Sequence, residues 1–262
     1  MPESAINHAV LAYHEVMPES DYSYCVTSSA FAEHMALLDS IAKSAGPQLP
    51  IQITFDDGER SQYLNAAPLL AEHGISATYF VTPGLIGAAA KFLGWDELRA
   101  LQNAGHSIQS HGWSHKFLTF CSDAELAHEL LASRQLLEDK LDNLVEEISV
   151  PGGRWNRRVI NACADAGYRR VYVSDPWVAE NMFGIQVIGR FIVRRSTTAT
   201  ELLKVSRKDR YALWQMRTRA QIKQAMVGLV GDGLYHRLWC RLTGYNEFEA
   251  ARQQRPISER KI

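Results

Sequence analysis

Short apolar runs recur along this chain, and stretches of helical period separate them. That alternation constrains the fold most, because strand-then-helix repeats bury their faces as βα units around a mainly parallel sheet. The strand candidates are His8–Tyr13, Ile51–Phe55, Ala77–Thr82, Ser107–Ser110, Glu147–Val150, Arg170–Ser174 and Gln186–Val193. The helix candidates between them start with Phe31–Ser44, which puts Phe31, Met35, Leu38 and Ala42 on one face. Arg60–His73 runs to Gly74, a good C-cap, and Trp95–Asn103 ends near Gly105. A capping box, Ser122-x-x-Glu125, opens the longest helix, to about Leu141, and Asn156–Ala166 ends at Gly167. After Ser196 the pattern becomes helical only, with Thr198–Arg207, Tyr211–Val230 and Tyr235–Thr243. A length of 262 residues suits one α/β domain with an appendage, divided here as 1–196 and 197–262.

Two strand ends carry unusual chemistry. Ile51–Phe55 runs into Asp56-Asp57-Gly58, and Ser107–Ser110 runs into His111-Gly112-Trp113-Ser114-His115. Neighbouring carboxylates repel, and a cation bound by one of them relieves the repulsion. An Asp with two His is a ligand set for a catalytic zinc-type site, which keeps one position open. The second Asp is then available as a base. Taken alone, Asp56-Asp57-Gly58 also reads as a surface turn; the paired strings favour a metal site.

Thr54-Phe55-Asp56-Asp57-Gly58 and His111-x-x-x-His115 resemble two motifs of the polysaccharide deacetylases, carbohydrate esterase family four, with a likeness extending from about Val10 to Ile192. The resemblance implies a distorted, incomplete (β/α) barrel of about seven strands, here followed by the helical extension. It implies Asp57, His111 and His115 as ligands of a divalent ion, expected to be zinc, and Asp56 as the base. It also implies hydrolysis of an acetyl group, most simply an N-acetyl, from a saccharide or lipid-linked sugar by metal-activated water. An O-acetyl esterase on the same site, and a degenerate barrel that only binds carbohydrate, are the alternatives.

The chain departs from the family pattern in three places. The third motif, Arg-x-Pro, is Ser149-Val150-Pro151-Gly152 here, so the Arg that pairs with the base is missing; Arg154, Arg190 and Arg194 are the substitutes at hand. Gly152, after a proline, is a candidate oxyanion donor, and Arg154 and Trp155 are candidate substrate contacts. The fourth motif is poorly matched by Ser174-Asp175-Pro176-Trp177. The fifth, Leu-x-x-His, occurs near the N-terminus as Leu11-Ala12-Tyr13-His14, similar to circularly permuted members of the family, which makes His14 the candidate general acid. His106 lies at the start of its strand, away from the mouth.

Charge separates the extension from the rest. Lys204 to Arg241 holds nine Lys or Arg against Asp209 and Asp232, interleaved with Tyr211, Trp214, Tyr235 and Trp239, in a chain of net charge -1. These helices either pack on the barrel with their charges exposed or rest, basic side down, on an anionic membrane; no reading motif for nucleic acid accompanies the charge. Cys25, Cys121, Cys163 and Cys240 are scattered without a CxxC pair, and Met1-Pro2-Glu3-Ser4 opens no secretory pattern, so a cytoplasmic location is expected.

Overall fold

A computed structural model describes residues 9–45, 51–218 and 221. Eleven strands form among them: β1 Ala9–Tyr13, β2 Glu15–Met17, β3 Cys25–Thr27, β4 Ile51–Phe55, β5 Ala77–Val81, β6 Ser107–Ser110, β7 Glu147–Ser149, β8 Arg170–Val173, β9 Ala179–Met182, β10 Ile185–Gly189 and β11 Phe191–Ile192. The helices are α1 Ser28–Ala45, α2 Ala67–Glu72, α3 Trp95–Asn103, α4 Asp123–Leu141, α5 Arg157–Asp165 and α6 Ala199–Ser206. β1 and β5 are buried at every position, as expected of parallel strands covered on both faces.

Nine strands make one sheet in the order β11-β1-β4-β5-β6-β7-β8-β10-β9, parallel throughout except for β9 against β10. The sheet curls, because β10 and β11 are successive pieces of one stretch. β10 pairs with β8, and β11 pairs with β1 at the other end. The seam is short, with only Leu11↔Phe191 and Ala12↔Ile192 in register, so the barrel is distorted and incomplete. The sequence pattern expects one strand over Gln186–Val193; it breaks at Arg190, where the chain changes partners.

Alternation along the strands sorts the side chains. Tyr13, Phe55 and Tyr79 face out towards α1, with Phe55 stacked on Tyr79 at 4.9 Å and Tyr13 edge-on to Phe31 at 5.1 Å. Val10, Phe80, Tyr172 and Ile188 cluster in the core. On α1 the buried face is Phe31, His34, Met35, Leu38 and Ile41; Ala42 is exposed, one position off the expected stripe.

The expected helix over Arg60–His73 is broken. A wide π turn, Gln62–Ala66, leads into α2. Pro68 lacks an N–H, so an ordinary i→i−4 bond cannot form there. The capping box at Ser122 forms as expected, with Ser122 N donating to Glu125 at 2.9 Å. The compact unit runs from Met1 to Asp209, beyond the boundary at 196 drawn from sequence, and α6 packs on α1 and β1 within it. Arg210–Ile262 is a second unit, described as helix over 210–218. Tyr235–Thr243 and His236 lie outside the described residues, as does most of Tyr211–Val230.

Candidate metal centre and its surroundings

β4 ends by placing Thr54 and Asp56 on its inner face, by the two-residue period of a strand. Asp57 then turns into the left-handed region at φ 73°, followed by Gly58 at the same angle. That turn brings the second carboxylate to the carboxyl mouth as well. His115 is also left-handed, at φ 63°, after Gly112 at 74°. Such backbone costs of order 1–3 kcal/mol at a non-glycine residue and persists only where its surroundings hold it.

Glu129 on α4 does part of the holding for His115. It is 3% exposed, and its carboxylate accepts both the backbone N–H of Ser114, at 2.9 Å, and the Ser114 hydroxyl. A side chain at Gly112 would sit 3.3 Å from Glu129 Oε2, so the loop folds closely over that carboxylate.

Asp57, His111 and His115 each offer an atom, all within 4.8 Å of one another. Asp57 Oδ1 lies 3.0 Å from His115 Nε2 and 3.4 Å from His111 Nε2. His111 Nδ1 donates to the Ser149 carbonyl at 2.7 Å, which turns its Nε2 towards Asp57. Two imidazole nitrogens and a carboxylate oxygen gathered in this way fit a divalent ion. Burial raises the Asp57 pKa, but the two imidazoles outweigh it and hold it well below the usual carboxylate range. Burial also opposes charge on His115, and Asp57 outweighs that, raising its pKa.

Asp56 is bound differently. Arg190, fully buried at the seam between β10 and β11, forks onto it: Nη1 to Oδ1 and Nη2 to Oδ2, both at 2.7 Å. The same guanidinium donates to Thr54 Oγ1 at 3.1 Å and Ser149 Oγ at 2.7 Å, and lies over Phe80 and Tyr172 at 5.4 and 5.9 Å. Burial would raise the Asp56 pKa, but Arg190, with His111, brings it down to about 2. Of the three arginines that could replace the missing one, Arg190 is the one that reaches Asp56. Ser149 stands where the third motif has Arg, and its small hydroxyl bridges the incoming guanidinium to Asp56 Oδ2 at 3.2 Å.

His14 follows β1 directly. Its Nδ1 is buried and has no hydrogen-bond partner among the described residues, and burial lowers its pKa against the opposing pull of Asp57 and Asp56. Gln62, from the π turn, donates to the backbone carbonyls of both His14 (2.9 Å) and Asp56, tying the ends of β1 and β4 together.

The loop after β7 carries the other candidates. Gly152 is at φ 63°, and a Cβ there would meet Phe117 at 2.4 Å, so only glycine fits. Gly153 N–H is already used on Val150 O at 2.9 Å. Arg154 lies over Phe117 and Phe120, at 5.1 and 5.5 Å. Trp155 Nε1 donates to Asp175 Oδ2 at 3.2 Å, which accounts for Asp175 as a rim contact. His106 accepts the Ala77 N–H at 3.1 Å, at the opposite end of the barrel, as expected of a structural residue.

A curled parallel sheet with an Asp–His–His cluster at its carboxyl mouth defines a barrel suited to a cation. Residues 43–171 match the family model described as polysaccharide deacetylase. It is 29% identical over 140 residues to a putative polysaccharide deacetylase, YxkH, of Bacillus subtilis, covering 53% of this chain and 50% of that protein. It is 30% identical over 145 residues to the chitooligosaccharide deacetylase of Sinorhizobium fredii, covering 53% of this chain and 64% of that one. The chain thus spans about half to two thirds of these relatives. Among solved structures, the Streptococcus pyogenes deacetylase PplD in complex with acetate superposes with TM-score 0.67 at 20% identity, over 78% of this chain and 99% of that one. IcaB from Ammonifex degensii superposes with TM-score 0.62 at 19% identity, over 76% and 95%. Both share the fold.

Proposed function

We propose that this chain is a metal-dependent hydrolase that removes an N-acetyl group from a saccharide or a lipid-linked sugar precursor. The observation that carries the reading is the convergence of Asp57, His111 and His115 beside a second carboxylate, Asp56, held ionised by Arg190. The names of the curated relatives support a carbohydrate deacetylase.

Asp57, His111 and His115 would hold the ion, with zinc the favoured occupant for two imidazoles and a carboxylate. A divalent ion there supplies Lewis acidity, lowering the pKa of water and polarising a carbonyl. Asp56, ionised, accepts the proton of the attacking water, while Arg190 keeps the carboxylate oriented. His14 donates a proton to the departing nitrogen. Gly152 N–H would donate to the developing oxyanion, and Arg154 and Trp155 would contact the sugar. No side-chain nucleophile is required.

The test is acetate release from N-acetylated saccharides by the full chain, before and after chelation. The reading expects release that stops on chelation and returns with zinc. Release that persists without the ion contradicts it. O-acetylated sugars in the same assay separate the esterase reading, and binding without acetate supports a carbohydrate-binding barrel. The basic, aromatic stretch 204–241 supports a cytoplasmic enzyme in peripheral contact with an anionic membrane, and failure to co-sediment with anionic liposomes at low salt would remove that part.

A further inference from the structure

Gln186 and Ile188 on β10, and Arg190 just after it, share the inner face by the period of a strand and mark three levels through the barrel. Arg190 stands at the level of Asp56 and Ser149, at the carboxyl mouth. Ile188 stands in the apolar level beneath, with Val10, Phe80 and Tyr172. Gln186 stands in a third level, at the amino ends of the strands. There β4, β5, β6, β7 and β8 also present polar side chains: Gln52, Thr78, Ser107, Glu147 and Arg170. Register places them side by side, with Thr78 opposite Ser107, and Arg170 opposite both Glu147 and Gln186. They line an open cavity of about 460 Å³ at the end of the barrel away from the metal centre, a volume in the range of small-molecule sites.

A barrel interior is ordinarily filled by layers of bulky apolar side chains, and polar groups turned inward cost stability unless they are bonded. Here the bonds within the ring use part of its capacity. Gln52 Nε2 donates to Tyr172 OH at 3.1 Å and to Thr78 Oγ1 at 3.3 Å, and Ser107 Oγ accepts from Gln109 at 3.1 Å. The Thr78 and Ser107 hydroxyls, each accepting one bond, keep a proton to donate. Arg170 Nε donates to Glu147 Oε1 at 2.9 Å. Glu147 is 9% exposed, and its Oε2 is buried with no hydrogen-bond partner among the described residues.

Charge narrows what fits. Arg170 and Glu147 are the charged residues of the lining and pair with each other, so an anion would face Glu147 and a cation would face Arg170. A hydroxyl both donates and accepts. A compound with several of them can give a proton to Glu147 Oε2 and receive one from Thr78 or Ser107. We propose that this cavity is a second binding site, for a small uncharged polyol, divided from the metal centre by the level of Val10, Phe80, Tyr172 and Ile188. It is independent of the deacetylase reading, because the ligand needs no acetyl group and meets none of the metal ligands.

The test titrates the full-length protein with D-sorbitol, D-gluconate and D-glucamine, which share one six-carbon chain and end in a neutral, an anionic and a cationic group. Ligand-observed NMR is the readout. Sorbitol should bind with a dissociation constant of about a millimolar or below. Gln186→Leu and Ser107→Ala, at half-buried positions, should each weaken it roughly 3- to 10-fold, the worth of one hydrogen bond. Thermal melting checks that both variants fold. His111→Ala, at the opposite end, should bind sorbitol as the unaltered protein does. In that variant, where the metal site is disabled, both charged probes should bind at least about threefold more weakly than sorbitol. No sorbitol binding at ~10 mM, or equal binding in folded Gln186→Leu and Ser107→Ala, overturns the site. Binding lost in His111→Ala places the probe at the metal mouth and overturns it too. Gluconate or glucamine binding as tightly as sorbitol in His111→Ala overturns the polyol as the ligand class.

Discussion

The two sides of the barrel mouth are built on different plans. On the side of β4 and β6, the metal-ligand candidates come from two short strings, each continuous with its own strand. On the seam side, His14 comes from one end of the barrel unit and Arg190 from the other, and they meet only because β11 pairs with β1. Ligands that share a loop can be written as a motif. The partner of a base carboxylate needs only to arrive with the right charge and fork, and here it arrives from a strand the motif does not include. The guanidinium paired with Asp56 is thus that of Arg190, and Ser149 shares its hydrogen-bond network.

The largest effect expected from this contrast is on rate. Asp56→Asn keeps the shape and removes the base, so turnover should fall by about 10²–10⁴ while the ion is still bound. Initial rates with metal analysis of the same sample check this, and near-normal turnover would move the base elsewhere.

Next comes stability at the seam. Arg190→Met leaves Asp56 as an unpaired buried charge, at a cost of about 3–5 kcal/mol. For a unit of this size that is a fall in Tm of roughly 6–20 °C by calorimetry. Arg190→Met with Asp56→Asn removes both charges and should recover much of the loss. If the double variant is no more stable than the single, the pair is not what the seam depends on.

A smaller effect sharpens the other side. Glu129→Gln keeps the volume but weakens the hold on Ser114, and through it on the left-handed His115. Ion affinity by calorimetry should fall roughly 10- to 100-fold, the range for outer-shell partners of metal ligands. An unchanged affinity would make Glu129 a helix residue that only packs.

The smallest concerns the far end of the barrel. Burial lowers the His106 pKa, and its Nδ1 accepts the Ala77 N–H only when neutral. The folded pKa lies below the unfolded value of 6.5, so stability is present above that pH and is lost as pH falls from there towards the lowered value. His34 acts in the same direction. His106→Gln should flatten the decline in Tm below about pH 6.5. An equally steep decline would assign it to other groups.

What was legible in the sequence follows the same division. Asp56, Asp57, His111 and His115 could be read because strand, turn and loop are contiguous there. The order of βα units was legible, including the capping box at Ser122, because each signal is local. Arg190 stood among three candidates, and nothing short of strand register could choose it. Glu129 was missed although a signal existed: it lies with Leu126, Leu130, Ser133 and Leu137 on the buried stripe of α4, where a lone carboxylate needs a reason. β2 and β3 have three residues each, too few for a period to register. The π turn at Gln62 depended on Pro68, inside a stretch otherwise patterned as continuous helix.

The most direct test of the account measures ion binding and acetate release side by side for His111→Ala and Arg190→Lys. Arg190→Lys keeps the charge but loses the two-pronged grip on Asp56. The account predicts that His111→Ala loses both properties, with affinity falling beyond the roughly 100-fold limit of outer-shell changes. It predicts that Arg190→Lys binds the ion nearly as well as the unaltered protein and turns over at least about tenfold more slowly. An Arg190→Lys protein that loses the ion along with its activity, or that keeps its full rate, would contradict the division of the mouth into a side that holds the metal and a side that sets the base.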